Sequence, residues 1–176
     1  MAGSGGGARA TIARWRSLTA ETAEPTPSML VVSSFTSQPI APALGVAIHD
    51  RTARVPAIDF ADYNQIFQVC LDPGLHGASD ADEVVLIWRI EDVFERDLHA
   101  WGRGEAGATD RLIDGARSLG SAVAGLSSAI AGSVMVSDAP TPIGFGLDHR
   151  DPELLTRLGE LQQALNRAVD DGLGDA

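Results

Sequence analysis

Residues 29–39 read MLVVSSFTSQP and decide the fold. Four apolar residues in a row stop at two serines, which is typical of a strand buried on both faces. Pro39 favours the first turn of a helix, and Ser37 just before it is the predicted cap. We therefore predict a central strand, a turn over residues 33–36 and a following helix. In open α/β sheets such a turn is where ligands bind.

The rest of the chain alternates between the same two kinds of element. Further strands are predicted at residues 54–60, 83–90 and 133–137, and helices at 39–50, 63–71, after Glu91, at 109–131 and at 152–169. Strands that alternate with helices form parallel βαβ units with right-handed crossovers. The predicted fold is α/β, with three αβα layers and a flavodoxin-like parallel sheet in the order 2-1-3-4. The usual last strand is expected to be missing.

The predicted domain covers residues 28–172. Residues 1–27 are expected to form a disordered glycine-rich leader over residues 1–10 and a short helix over residues 11–23. Residues 118–136 carry almost no charge, but Gly132 and Ser133 divide them into a helix and a strand, so no membrane span is expected. Because no charged-then-apolar leader is recognised, the protein is expected to be cytoplasmic.

The charge balance excludes some classes of partner. The formal net charge is -11, and the chain has thirteen arginines and no lysine. Nucleic acids and anionic membrane surfaces both require clustered positive charge, so neither is an expected partner. A single cysteine, Cys70, excludes an internal disulfide. No metal-ligand spacing and no phosphate-binding glycine motif occurs, so neither a metal nor a cofactor is predicted.

Polar side chains follow the first and third strands, whose carboxyl ends are neighbours in the predicted order. Ser33 and Ser34 should therefore lie beside Arg89, Glu91 and Asp92. Ser34 could act as a nucleophile, or it could cap the helix or bond to local backbone, as serines at such turns do. Arg89 needs an anion, which either a ligand or an internal carboxylate could supply.

Other residues are expected to line the same crevice. They are Thr36 in the turn, the helix start at Tyr63, Asn64 and Gln65, and Asp138 after the fourth strand. A serine nucleophile also needs a base. His149 is the best-placed histidine because Asp148 and Asp151 are close in sequence.

Five segments together resemble the amino-terminal domain of FkbH-like proteins, which is SGNH-hydrolase-like. They are VVSSFTSQPIAPAL (31–44), FADYNQIFQVCLDP (60–73), EVVLIWRIEDVF (83–94), VMVSDAPTPIG (134–144) and LNRAV (165–169). FkbH-like proteins pair this domain with a haloacid-dehalogenase-type domain. They load a glyceryl unit from a phosphoglycerate onto an acyl carrier protein in natural-product biosynthesis.

The resemblance implies that Ser34 occupies the place of the SGNH serine. Residues 89–92, RIED, stand where SGNH enzymes carry Gly-x-Asn-Asp, and no asparagine is present there. The Asp-x-x-His block that carries the base and the dehalogenase DxDxT signature are not found. Two hypotheses remain open. In one, the chain is a module that binds an acyl carrier protein or a separate dehalogenase-type subunit; in the other, it is a serine acyl hydrolase or acyltransferase using Ser34. An exposed sheet edge would also favour a homodimer.

Overall fold

The computed structural model describes residues 4–142 and 152–174. Four strands are present in this part of the chain: β1 (Ser28–Ser33), β2 (Ala57–Phe60), β3 (Glu83–Ile87) and β4 (Ser133–Val136). Seven α-helices accompany them: α1 (Ser4–Glu21), α2 (Ala41–Thr52), α3 (Ile66–Leu71), α4 (Ile90–Val93), α5 (Glu95–Gly102), α6 (Ala108–Ala129) and α7 (Pro152–Gly174). Short 3-10 helices lie at Gln38–Ile40 and Leu75–Asp80.

The four strands form one parallel sheet in the order β2-β1-β3-β4, which confirms the predicted order. Central strand β1 is buried from Met29 to Ser33, as an apolar run without alternation requires. Its register aligns Ser33 with Ile87 of β3, so the two strands end side by side. The carboxyl ends of β1 and β3, where the sequence predicts a binding crevice, are therefore adjacent.

Helices cover the sheet as an αβα fold requires. One face of the sheet packs Leu30, Val32, Val84 and Leu86 into a core that includes buried residues of α3, α5, α6 and α7. Met29 and Val31 alternate with these residues and are equally buried, so they face the other side. Since the β1-to-β2 crossover runs in the opposite direction along the sheet, right-handed connection places α2 on that second face.

Helices α6 and α7 approach each other closely at two glycines. A Cβ atom on Gly120 would lie 2.1 Å from the carbonyl oxygen of Val169, and one on Gly172 would lie 2.2 Å from that of Arg117. Two backbones can come this near only where no side chain stands between them. The contact holds the second half of α7 against the core side of the sheet.

Several predicted boundaries and caps were wrong. Helix α1 begins at Ser4, within the segment expected to be disordered, because alanine and arginine after the glycines favour helix. Ser37 makes no capping hydrogen bond, and α6 begins after Gly107 in a left-handed conformation instead of at a side-chain cap. Helix α7 continues to Gly174. The loop predicted at residues 144–151 lies outside the described residues.

Candidate functional site

Ser34 lies at the end of β1 and its side chain has no exposed surface. Its main-chain N–H donates to the carbonyl oxygen of Ile87 at 3.1 Å, which continues the pairing with β3 by one residue. The Oγ atom accepts the main-chain N–H of Arg89 at 2.9 Å and donates to Oδ2 of Asp92 at 3.1 Å. The proton of this hydroxyl and one of its two acceptor lone pairs are therefore engaged in hydrogen bonds.

Arg89 and Asp92 form an ion pair beside Ser34. Nε of Arg89 donates to Oδ2 of Asp92 at 2.6 Å, so this one carboxylate oxygen serves both the guanidinium and the serine hydroxyl. The guanidinium carbon also lies 4.8 Å above the centre of the Phe35 ring. The hydrogen bond to Asp92 raises the pKa of Arg89, and the negative charge of Glu91 acts in the same direction. Arg89 is consequently always charged and held in one orientation.

The turn after β1 is stiffened by a second serine. Oγ of Ser33 donates to the carbonyl oxygen of Phe35 at 2.6 Å and lies 2.7 Å from Oγ of Ser37. Ser37 therefore cross-links the turn instead of capping the helix. Thr36 points to solvent and joins none of these contacts.

The segment before α3 reaches the same edge of the sheet, but as a turn. The main-chain N–H of Asn64 donates to the carbonyl oxygen of Ser33 at 3.1 Å. Asn64 has a φ of 55°, a left-handed conformation that asparagine tolerates, and the prediction that it begins a helix was wrong. Tyr63 is 61% exposed, whereas Gln65 immediately precedes α3 and makes no capping bond.

The end of β4 is held by residues of α7 that the sequence did not single out as functional. Oδ1 of Asn166 accepts the main-chain N–H of Ala139 at 2.9 Å, and Nε2 of Gln162 donates to the carbonyl oxygen of Ala139 at 2.8 Å. In the sequence, the only indication of this contact was the pair of amide side chains, Gln162 and Asn166, beside the apolar stripe of α7. Asp138 itself is exposed and, within the described residues, makes no hydrogen bond or ion pair with Ser34, Arg89 or Asp92.

Two buried polar atoms after β3 and β4 lack partners in the described part of the chain. They are Oε2 of Glu91 and Oγ of Ser137. A buried polar atom without a hydrogen bond is costly in free energy. Each of these two atoms is therefore an unsatisfied hydrogen-bonding group near the end of its strand.

No histidine among residues 4–142 and 152–174 is placed as a base for Ser34. His49 lies 3.6 Å from Asp50, His76 lies 3.9 Å from Asp62, and Nδ1 of His99 contacts the carbonyl oxygen of Glu95. None of the three contacts Ser34. The predicted base His149 lies outside the described residues.

The structure also gives two findings on metals and membranes. In the described part of the chain, no group of three or more His, Cys, Asp or Glu residues is close enough to hold a metal ion. None of the helices in that part combines the length and hydrophobicity needed to cross a bilayer.

Comparisons with known proteins point to the fold alone. No protein-family profile matches the chain, and no curated protein matches it. A solved structure that it does resemble is the N-terminal part of the protein BF1531 from Bacteroides fragilis, described as containing a phosphatase domain complexed with Mg. The TM-score is 0.60 at 15% sequence identity, and the match covers 89% of this chain and 40% of that one. The chain thus spans about two fifths of the solved protein, with which it shares an α/β architecture.

Proposed function

We propose that this chain is an SGNH-like accessory or binding domain of the FkbH type that acts in natural-product biosynthesis as a cytoplasmic protein. It would position an acyl or glyceryl group bound to a carrier protein, or a haloacid-dehalogenase-type partner, without turning over substrate at Ser34. The fold similarity to BF1531, whose solved region contains a phosphatase domain, supports this pairing.

The observation that carries the proposal is the state of the Ser34 hydroxyl. A nucleophile needs a lone pair that can reach the substrate. The Oγ atom of Ser34 is buried, so no substrate can reach it in this structure, and one of its two lone pairs accepts the main-chain N–H of Arg89. The carboxylate of Asp92, which accepts the hydrogen bond from the Ser34 hydroxyl, is also bound by the guanidinium of Arg89. The hydroxyl therefore links β1 to the start of α4, and the surrounding crevice is left for binding.

Chemical probes of the serine test this proposal. The wild type, Ser34→Ala and the control Ser137→Ala are incubated with a fluorophosphonate probe and a short-chain p-nitrophenyl ester. We expect all three proteins to show the same background labelling and turnover. Labelling and turnover that vanish only in Ser34→Ala would overturn the binding role.

Labelling and turnover that depend on Ser34 would instead indicate the second candidate function, which is that of a serine acyl hydrolase or acyltransferase. The hydrogen bond of 3.1 Å from Ser34 to Asp92 favours it, since a carboxylate lies within reach of the proton. For this chemistry the buried hydroxyl would have to become accessible to a substrate.

Partner binding is the positive counterpart of these tests. We expect the chain to retain an acyl carrier protein or a dehalogenase-type subunit from the same gene neighbourhood in a pull-down with purified proteins. A homodimer is the other proposed assembly, because β4 ends the sheet and Met135 on it is 46% exposed. Light scattering after size-exclusion chromatography measures this directly, and Met135→Arg should reduce any dimer.

A further inference from the structure

We propose that Arg89 is the anchor for a carboxylate group of a small ligand, bound in the crevice between the ends of β1 and β3. This inference rests on the proposed binding role and names the chemical class that the crevice accepts. Four observations lead to it: the fixed orientation of the guanidinium, its unused donors, the unpartnered polar atoms after β3 and β4, and the charges around it.

The orientation of Arg89 is set by the protein before any ligand arrives. Asp92 binds Nε at 2.6 Å, and the ring of Phe35 supports the flat face of the guanidinium at 4.8 Å. An arginine held on its edge and on its face loses little conformational entropy when it binds a ligand.

The terminal donors of Arg89 are not used by the described residues. A guanidinium has five N–H donors, and Nε accounts for one of them. Its two terminal nitrogens make no hydrogen bond to the residues that the structure describes, and the side chain is 38% exposed. Two such nitrogens present a planar fork that matches the two oxygens of a carboxylate.

The unpartnered polar atoms after β3 and β4 also favour a binding site at this end of the sheet. Oε2 of Glu91 is buried without a partner, and Glu91 lies close enough to Arg89 for its charge to raise the pKa of the guanidinium. Oγ of Ser137 is a second such atom, at the end of the neighbouring strand. Hydrogen-bonding groups of a bound molecule or its bridging water would satisfy them.

The surrounding charges favour a carboxylate over a phosphate. Asp92 and Glu91 place two negative charges near the single positive charge of Arg89. Attraction to Arg89 and repulsion from the two carboxylates are both proportional to the charge of the ligand. Because the negative groups outnumber the positive one, the net repulsion of a phosphate dianion is about twice that of a carboxylate. The chain as a whole, with a net charge of -11, adds to this discrimination.

Amide NMR titrations at constant ionic strength test the proposal. Sodium acetate is added to the ¹⁵N-labelled protein, and inorganic phosphate is added in a parallel series. We expect saturable shifts of the Arg89, Ser34 and Asn64 amides with acetate, and weaker binding of phosphate. Absence of saturable shifts with acetate, or tighter binding of phosphate, would overturn the proposal.

Variants assign the effect to the guanidinium. Arg89→Gln and Arg89→Lys should each weaken acetate binding at least about tenfold, since neither keeps the fork. Arg96→Gln, at an exposed arginine of α5, should bind as the wild type does. Phe35→Leu leaves every charge in place and should weaken binding about two- to tenfold by releasing the guanidinium, which keeps the test valid if Arg89→Gln folds poorly. An equal loss of binding in Arg96→Gln would reject the site.

The two proposals fail separately. Ester turnover that depends on Ser34 would overturn the non-catalytic role and leave carboxylate binding by Arg89 intact. Absence of acetate binding, with no labelling of Ser34, would remove the ligand class and leave the role of the chain as a protein-binding module.

Discussion

At the scale of single residues, the Ser34 hydroxyl joins two segments that are far apart in sequence. It accepts a hydrogen bond from the N–H of Arg89 and donates one to Asp92, and the Ser34 side chain has no solvent-exposed surface. Removing the oxygen leaves a buried N–H unpaired, which costs about 1–3 kcal/mol. Ser137 is the natural comparison, because its buried hydroxyl has no partner among the described residues.

We therefore expect Ser34→Ala to lower the free energy of unfolding by about 1–3 kcal/mol and Ser137→Ala to change it by less than about 0.5 kcal/mol. Urea denaturation followed by circular dichroism measures both variants. Equal losses in the two variants would contradict the hydrogen-bonding role of Ser34.

The reactivity of the Cys70 thiol reports whether the inner face of α3 is buried. Burial raises the pKa of its thiol to about 11. Because the thiolate is the reactive form, we expect no reaction with a disulfide reagent at neutral pH in the native protein. Full reaction is expected once urea unfolds the chain. Rapid labelling of the native protein would show that α3 opens easily or packs differently.

Asp82, the residue just before β3, is hydrogen-bonded to the start of β1. Its Oδ2 accepts the N–H and the hydroxyl of Ser28 at 2.8 and 2.9 Å, and these bonds lower the pKa of the carboxyl below its ordinary value of 3.8. A carboxyl whose pKa is lower in the folded than in the unfolded state stabilises the protein above the unfolded value. That stabilisation is lost as the pH falls through the folded value.

We expect the free energy of unfolding of Asp82→Asn to depend less on pH than that of the wild type, with the two curves converging below about pH 4. Urea denaturation at a series of pH values measures the curves. Asp170→Asn, at an exposed carboxylate of α7, is the control and should follow the wild type. Parallel curves for Asp82→Asn and the wild type would reject the contribution of Asp82.

At the scale of elements, the contact between α6 and α7 depends on the two glycines where their backbones meet. A methyl group on Gly120 would collide with Val169 and Gly172, and the backbone atoms there cannot move aside. Gly125 lies on the same helix, and a Cβ atom there would meet nothing within 4 Å.

Gly120→Ala should therefore cost about 1–3 kcal/mol or more by forcing the helices apart. Gly125→Ala should stabilise the protein by up to about 1 kcal/mol, because alanine favours helix over glycine. Thermal and urea denaturation of the two variants measure the difference. A Gly120→Ala variant as stable as Gly125→Ala would mean that the two helices do not touch there.

At the scale of the whole molecule, the sheet has two inner and two outer strands. The inner strands β1 and β3 pair on both sides, and β1 is buried throughout. The outer strand β4 has exposed residues at Ser133 and Met135. The local free energy of opening should follow this order, since amides of edge strands open without global unfolding.

Hydrogen exchange followed by mass spectrometry should accordingly give the slowest exchange in peptides covering β1 and β3. Peptides covering β2 and β4 should exchange faster. If β4 exchanged as slowly as β1, another strand or a second copy of the chain would be pairing with the β4 edge.

The local pattern of the sequence determined the elements and their order. The apolar run before Ser33, the similar run over residues 83–90 and the prolines at 39 and 152 fix strands and helix starts, because burial on two faces and a locked φ angle act within a few residues. Right-handed crossovers then limit the sheet to few arrangements, and the order 2-1-3-4 was among them.

The tertiary structure alone decided what the residues at the crevice do. The sequence placed Ser34 beside Arg89 and Asp92, but only the folded chain shows that its buried hydroxyl is hydrogen-bonded to both residues, which lie more than fifty positions away. The turn at Asn64 and the hydrogen bond between Asn166 and Ala139 were likewise visible only in the tertiary structure. These contacts depend on distances between segments that no local pattern encodes, whereas strand and helix formation depends on neighbours along the chain.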